Sequence, residues 1–82
     1  MTDVTIQESD LASSISGSDG AGVVDVTGIT IAGVASIVPD KTDTLSNTDT
    51  VTFTITPEAN HSINGNAAGT PVDIPVVVAG LA

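Results

Sequence analysis

The chain has 82 residues and a net charge of −9, from 10 acidic side chains, one lysine and no arginine. One cationic side chain cannot neutralise a row of phosphates, which argues against nucleic acid and against an anionic membrane surface as partners. Because cysteine is absent, disulfide bonds and thiolate metal sites are excluded.

Side chains that favour β-strands dominate the composition. Threonine, valine and isoleucine account for 31 of the 82 residues, and 12 glycines and prolines are available to separate short strands. The sequence therefore predicts a single all-β protein, a small antiparallel β-sandwich or barrel-like domain with an N-terminal arm. Disorder is the alternative that the charge suggests, but an apolar fraction of 40% exceeds what disordered proteins usually have.

The N-terminal part is predicted to be an arm or short helix with a flexible linker, residues 1–22, preceding a β domain, residues 23–82. Its last residues, Ser16–Gly22, have the composition of a flexible linker. We expect a protein without residues 2–22 to keep its β core folded and to attach more weakly to a partner.

Two short elements are predicted within this arm. Val4 and Ile6 alternate with polar residues, which is typical of a short strand or an extended segment. Residues 9–16 fit one short helix that begins at a serine cap and has Leu11 and Ile15 on one face.

Alternation in the β domain indicates a long first strand. Ile29, Ile31, Ala35 and Ile37 fall on one face, and Gly33 between them predicts a bulge or a point of close approach.

The clearest strand pattern follows, because Val51, Phe53 and Ile55 alternate with four threonines and Pro57 ends the run. One face of this strand is predicted to be buried and the other to present hydroxyl groups. That hydroxyl face is either solvated or paired with another sheet or subunit.

The C-terminal third contains a turn signal and two prolines. Asn64-Gly65 is typical of a two-residue hairpin turn, since both positions tolerate positive φ. Pro71 and Pro75 predict an edge or bulged strand. The run Val76 to Val78 is apolar on both faces, which favours a fully buried strand or one that a neighbouring subunit covers.

His61 and Ser62 are the first candidates for chemistry. Adjacent residues on an extended segment point to opposite sides, so Ser62 is badly placed as a nucleophile for His61, and a surface histidine is the simpler interpretation. Since no other catalytic motif is present, we expect no enzyme activity and no cofactor.

Asp40, Asp43 and Asp49 lie in one polar connection and offer oxygen atoms that a calcium ion could bind. Their spacing differs from that of an EF-hand loop, so the simpler interpretation is that these carboxylates are solvated turn residues. Whether the Asp40–Asp49 loop binds a cation is left open by the sequence.

The remaining interpretation is a protein that acts through its surface. A small domain without disulfides or large aromatics commonly gains stability from oligomerisation, so a dimer or trimer is expected. The predicted partner-binding residues are the apolar ones of the arm and of the C-terminal run: Val4, Ile6, Leu11, Ile15, Val76, Val77, Val78 and Leu81.

In type, the sequence resembles the small decoration (cement) proteins of tailed-phage capsids. The resemblance lies in the start at Met1, the arm over Thr2–Gly22 and the cysteine-free β core from Val23 to Val78. It implies a virion protein that binds the major capsid protein or other shell subunits at capsomer junctions and stabilises the shell. Strand addition at an exposed sheet edge is one mode of attachment.

An immunoglobulin-like spacer or adhesive module of a bacterial surface or phage fibre protein is the alternative, since Asp49–Ile55 resembles a strand of such modules. No basic and apolar leader pattern follows Met1, so we expect no signal peptide and assembly in the host cytoplasm.

Overall fold

The computed structural model describes all 82 residues, of which 6% are helical and 39% lie in strands. The predicted all-β character is confirmed, although the small sheets form no closed barrel. In sequence order the elements are β1 (Thr2–Val4), α1 (Glu8–Ala12), β2 (Ile15–Ser16), β3 (Val23–Val24), β4 (Val34–Pro39), β5 (Thr50–Pro57), β6 (His61–Ile63) and β7 (Val72–Val77).

Strand β5 is the centre of the fold. It pairs with β4 on one side and with β7 on the other, both antiparallel, to form a three-stranded sheet. Val51, Phe53 and Ile55 are fully buried, whereas the four threonines between and beside them face outward. The predicted alternation is therefore confirmed along the whole strand.

The N-terminal residues are part of the domain and do not form a separate arm. Strand β1 pairs in parallel with β6, while β2 pairs with β3. Ile6 is 4% exposed and Leu11 is fully buried, and both belong to the same hydrophobic core as Phe53. The core therefore extends across residue 22, where the sequence suggested a boundary.

The helix is shorter than residues 9–16 and begins one residue earlier. Its N-cap is Gln7, whose backbone N–H donates to the Asp10 carboxylate over 2.8 Å. Helix α1 ends at Ala12, and Ile15 lies in β2 instead of sharing a helical face with Leu11. Few intrahelical hydrogen bonds fit in five residues, so this helix depends on the burial of Leu11.

The long first strand is also shorter than its alternation predicts. Residues 25–33 form turns, with hydrogen bonds from Ile29 N–H to the Val26 carbonyl and from Val34 N–H to the Ile31 carbonyl. Gly33 has φ of +86°, a left-handed conformation that breaks the strand, and β4 begins immediately after it. The predicted close approach at Gly33 is confirmed because its backbone packs against Val4 and His61.

We expect Gly33→Ala to destabilise the protein by about 2–4 kcal/mol, since the new side chain meets both backbone strain and a clash. Its Cβ would lie 2.6 Å from His61 Cδ2 and 2.8 Å from Val4 Cγ2. Gly28→Ala is the matched control, because no atom lies within 4 Å of its Cβ. Chemical denaturation followed by circular dichroism should separate the two, and equal midpoints would contradict the packing described for Gly33.

The Asn64-Gly65 turn has the predicted positive φ at both residues, +51° and +77°. It follows β6 and contacts the N-terminal residues, so it does not join two antiparallel strands. β7 is an edge strand, as its prolines predict. Val76 and Val78 are buried but Val77 is 58% exposed, so this run alternates instead of being buried on both faces.

A proline blunts each edge of the three-stranded sheet. The Thr52 carbonyl accepts the Asp40 N–H, so the backbone of Thr52 points toward β4. The backbone groups of Thr52 therefore point away from β7, and those of Pro75, which lies opposite Thr52, point away from β5 to the free edge of β7. The direction alternates along β5, so the backbone groups of Phe53 point toward β7. Pro39, which lies opposite Phe53, accordingly has its nitrogen on the free edge of β4. Each edge therefore lacks a donor that an added strand would need.

The two termini lie near opposite ends of β5, in a body of 42 × 20 × 17 Å. Thr2 N–H donates to the Asn60 carbonyl, near the end of β5. At the start of β5, the Ala82 carbonyl accepts the Asp19 N–H and the Leu81 carbonyl accepts from the Asn47 side chain.

Candidate binding surface

The outer face of the three-stranded sheet is the most distinctive surface of the molecule. Strand pairing places Val38 beside Thr54 and Val77 beside Thr50, and side chains of directly opposed residues lie on the same face. We call this surface the threonine face. Its residues are Ser36, Val38, Thr50, Thr52, Thr54, Thr56, Asp73, Pro75 and Val77.

The threonine face carries one charged side chain among its nine residues, a fraction close to the 13% of the whole protein. Asp73 is its single carboxylate, and the Thr54 hydroxyl donates to it over 2.8 Å. Asp40 lies at the border, where its carboxylate accepts the Thr52 N–H over 2.9 Å. Hydroxyl groups therefore make up most of the polar surface of this face.

The two valines of the threonine face are unusually exposed, Val38 at 57% and Val77 at 58%. They lie on the two edge strands, beside Thr54 and Thr50, so the face presents two separate apolar contact points within a hydroxyl surface. Three strands of this length cover roughly 400 Å², from the usual strand spacing and rise. That area is about half of what one partner contributes to a standard protein–protein interface.

Half of the predicted partner-binding residues belong to the protein's own core. Ile6, Leu11, Val76 and Val78 are buried, so their side chains offer almost no area to a partner. Val4, Ile15 and Leu81 are half-buried and pack against the core. Val77 is the exposed member of the set.

Val38 is the surface residue that the sequence interpretation missed. Its signal was its position directly after Ile37, because neighbours on a strand point to opposite faces. The apolar partner-binding set was drawn from the two ends of the sequence, whereas the exposed valines flank the central strand on its outer side.

The three aspartates of the 40–49 connection do not converge on one point. The Asp43 carboxylate accepts the Thr44 hydroxyl, and the Asp49 carboxylate accepts the Ser46 N–H. Asp40 turns to β5 instead. Nowhere do three or more histidine, cysteine, aspartate or glutamate side chains lie close enough together to hold a metal ion.

His61 and Ser62 are directed to different partners. His61 Nδ1 lies 2.8 Å from the Ala59 carbonyl oxygen, while the buried Ser62 hydroxyl donates to Asp3 over 2.7 Å. The Gly65 backbone N–H also donates to Asp3, over 2.9 Å. The hydrogen bond from the Gly65 N–H, and to a smaller extent the one from the Ser62 hydroxyl, lower the pKa of Asp3. The Asp3 carboxylate, through Ser62 and Gly65, therefore ties the N-terminal strand to β6 and the turn that follows it.

A shallow groove of about 170 Å³ lies between residues 26–31 and β4. Six of its eight lining residues are hydrophobic, and the other two are Thr30 and Ser36. It holds no titratable group, so it provides apolar contact without acid–base chemistry.

No family model, curated protein or solved structure matches this protein. The one helix, of five residues, is too short to cross a bilayer.

Proposed function

We propose that this is a non-enzymatic structural protein that binds other protein subunits through its threonine face. The observation that carries the proposal is a solvent-facing sheet surface rich in threonine on which two valines, Val38 and Val77, are more than half exposed. Acidic groups elsewhere keep such a protein soluble, while attachment relies on apolar and hydroxyl contacts.

The small area of the face favours a repetitive partner. Roughly 400 Å² per copy suits a weak single contact. When several copies are joined as a dimer or trimer and bind a regular lattice, avidity makes weak contacts effective. A virion shell is such a lattice, so we propose a decoration (cement) protein that binds the major capsid protein at capsomer junctions, after assembly in the host cytoplasm. The blunted sheet edges favour the face over strand addition as the mode of attachment.

Substitution of both exposed valines tests this proposal. We expect the double variant Val38→Asp/Val77→Asp to lose co-sedimentation with capsids assembled from the major capsid protein of the same genome. The contact with the capsid would bury two carboxylates that have no partner. Val23→Asp is the matched control, since Val23 is 42% exposed but lies on β3, away from the face.

The unmodified protein, the double variant and Val23→Asp should have similar melting temperatures. Unchanged binding by the double variant would reject the threonine face as the contact. Failure of the unmodified protein to sediment with the shells would reject the decoration role.

A spacer or adhesive module is the second candidate, and the position of the termini favours it. A domain whose termini lie near opposite ends of β5 suits a series of domains in a surface or fibre protein. Light scattering distinguishes the two, because the module is expected to be a monomer and the decoration protein an oligomer.

A further inference from the structure

Asn64 and Gly65 supply the two groups required for deamidation. In that reaction the Gly65 amide nitrogen loses its proton and attacks Asn64 Cγ. The bond between Asn64 Cγ and Nδ2 breaks, ammonia leaves and a succinimide forms. Water then opens the ring to aspartate or isoaspartate. Glycine promotes the attack because it has no side chain to obstruct its nitrogen.

In the folded protein, both reacting groups are occupied by the N-terminal residues. Asn64 Oδ1 accepts the Ile6 N–H over 2.9 Å, and Asn64 Nδ2 donates to the Ile6 carbonyl over 3.1 Å. The Gly65 N–H donates to the Asp3 carboxylate over 2.9 Å. Removing that proton would place a negative nitrogen beside a carboxylate, which like-charge repulsion disfavours.

We propose that Asn64 is a deamidation site that the N-terminal strand protects, and that its deamidation releases this strand. The side-chain amide of Asn64 both donates a hydrogen bond to Ile6 and accepts one from it. An aspartate has no proton for the Ile6 carbonyl and adds a negative charge near Asp3. Isoaspartate also lengthens the backbone within the turn. After the reaction, the lost hydrogen bond, the added charge and the longer backbone disfavour renewed pairing of the N-terminal strand with β6.

Intact-mass measurement in mildly alkaline buffer tests the protection. We expect Asn64 to deamidate at least tenfold more slowly in the native protein than in concentrated urea, because the two hydrogen bonds to Ile6 and the one to Asp3 must break first. Peptide mapping assigns the modified residue. Equal rates in the native and unfolded states would overturn the proposal.

Hydrogen exchange of residues 2–6 tests the release. Asn64→Asp imitates one product and should increase exchange in this peptide about tenfold. Asn66→Asp is the matched control, since Asn66 lies in the same turn and its hydrogen bonds go to the Ile63 carbonyl and not to residues 2–6. Unchanged exchange in Asn64→Asp, or an equal increase in both variants, would overturn the assigned role of Asn64.

Discussion

Phe53→Ala is expected to lose about 3–5 kcal/mol of folding free energy and to lower the urea unfolding midpoint strongly. Phe53 is the one aromatic residue, is fully buried, and lies at the middle of β5 between Pro39 and Ile74. The β-branched neighbours lock into few rotamers and fill such a cavity poorly. Small domains have total stabilities of roughly 5–15 kcal/mol, so this loss is a large fraction of the total.

The measurement is urea denaturation followed by far-ultraviolet circular dichroism, because the protein has no tryptophan or tyrosine for fluorescence. Thr52→Ala is the control on the same strand. Its side chain lies on the threonine face, so we expect a change within about 0.5 kcal/mol. A Phe53→Ala protein with the unmodified midpoint would contradict the position of the core.

Removal of residues 2–12 should abolish cooperative unfolding. The deletion takes Ile6 and Leu11 out of the core, and truncation of each buried side chain alone costs about 2–5 kcal/mol. It also exposes Ile63, which β1 and the N-terminal residues cover in the intact protein. The sequence-based expectation of a removable arm predicts the opposite result.

Two point variants accompany this deletion. Leu11→Ala should lower the unfolding midpoint strongly, whereas Ser9→Ala on the exposed side of the same helix should change it little. A truncated protein with dispersed amide resonances and a sharp melting transition would show that the segment is an arm after all.

These results also separate stability from binding. The N-terminal deletion and Phe53→Ala act on the core, whereas the variants of Val38 and Val77 act on the outer face of the same sheet. A binding defect with an unchanged melting temperature is therefore expected only for the face variants.

Strands and turns that depend mainly on neighbouring residues could be predicted from local sequence patterns. Strand β5 was predictable because a period of two separates its buried residues from its threonines over the whole strand. The Asn64-Gly65 turn was predictable because only residues that tolerate positive φ suit it. The scarcity of basic side chains likewise follows from the sequence alone.

Tertiary contacts decided where the N-terminal residues lie. A polar, glycine-rich stretch before residue 22 looks like a linker locally, yet Gly22 is buried there against Leu45 and Leu81. Gly33 interrupts the long predicted strand through its left-handed φ, and Val4 and His61, far apart in sequence, leave no room for a side chain there. Such contacts leave no periodic pattern, since they depend on how distant segments pack. Burial of Ile6 and Leu11 and exposure of Val77 follow from that packing.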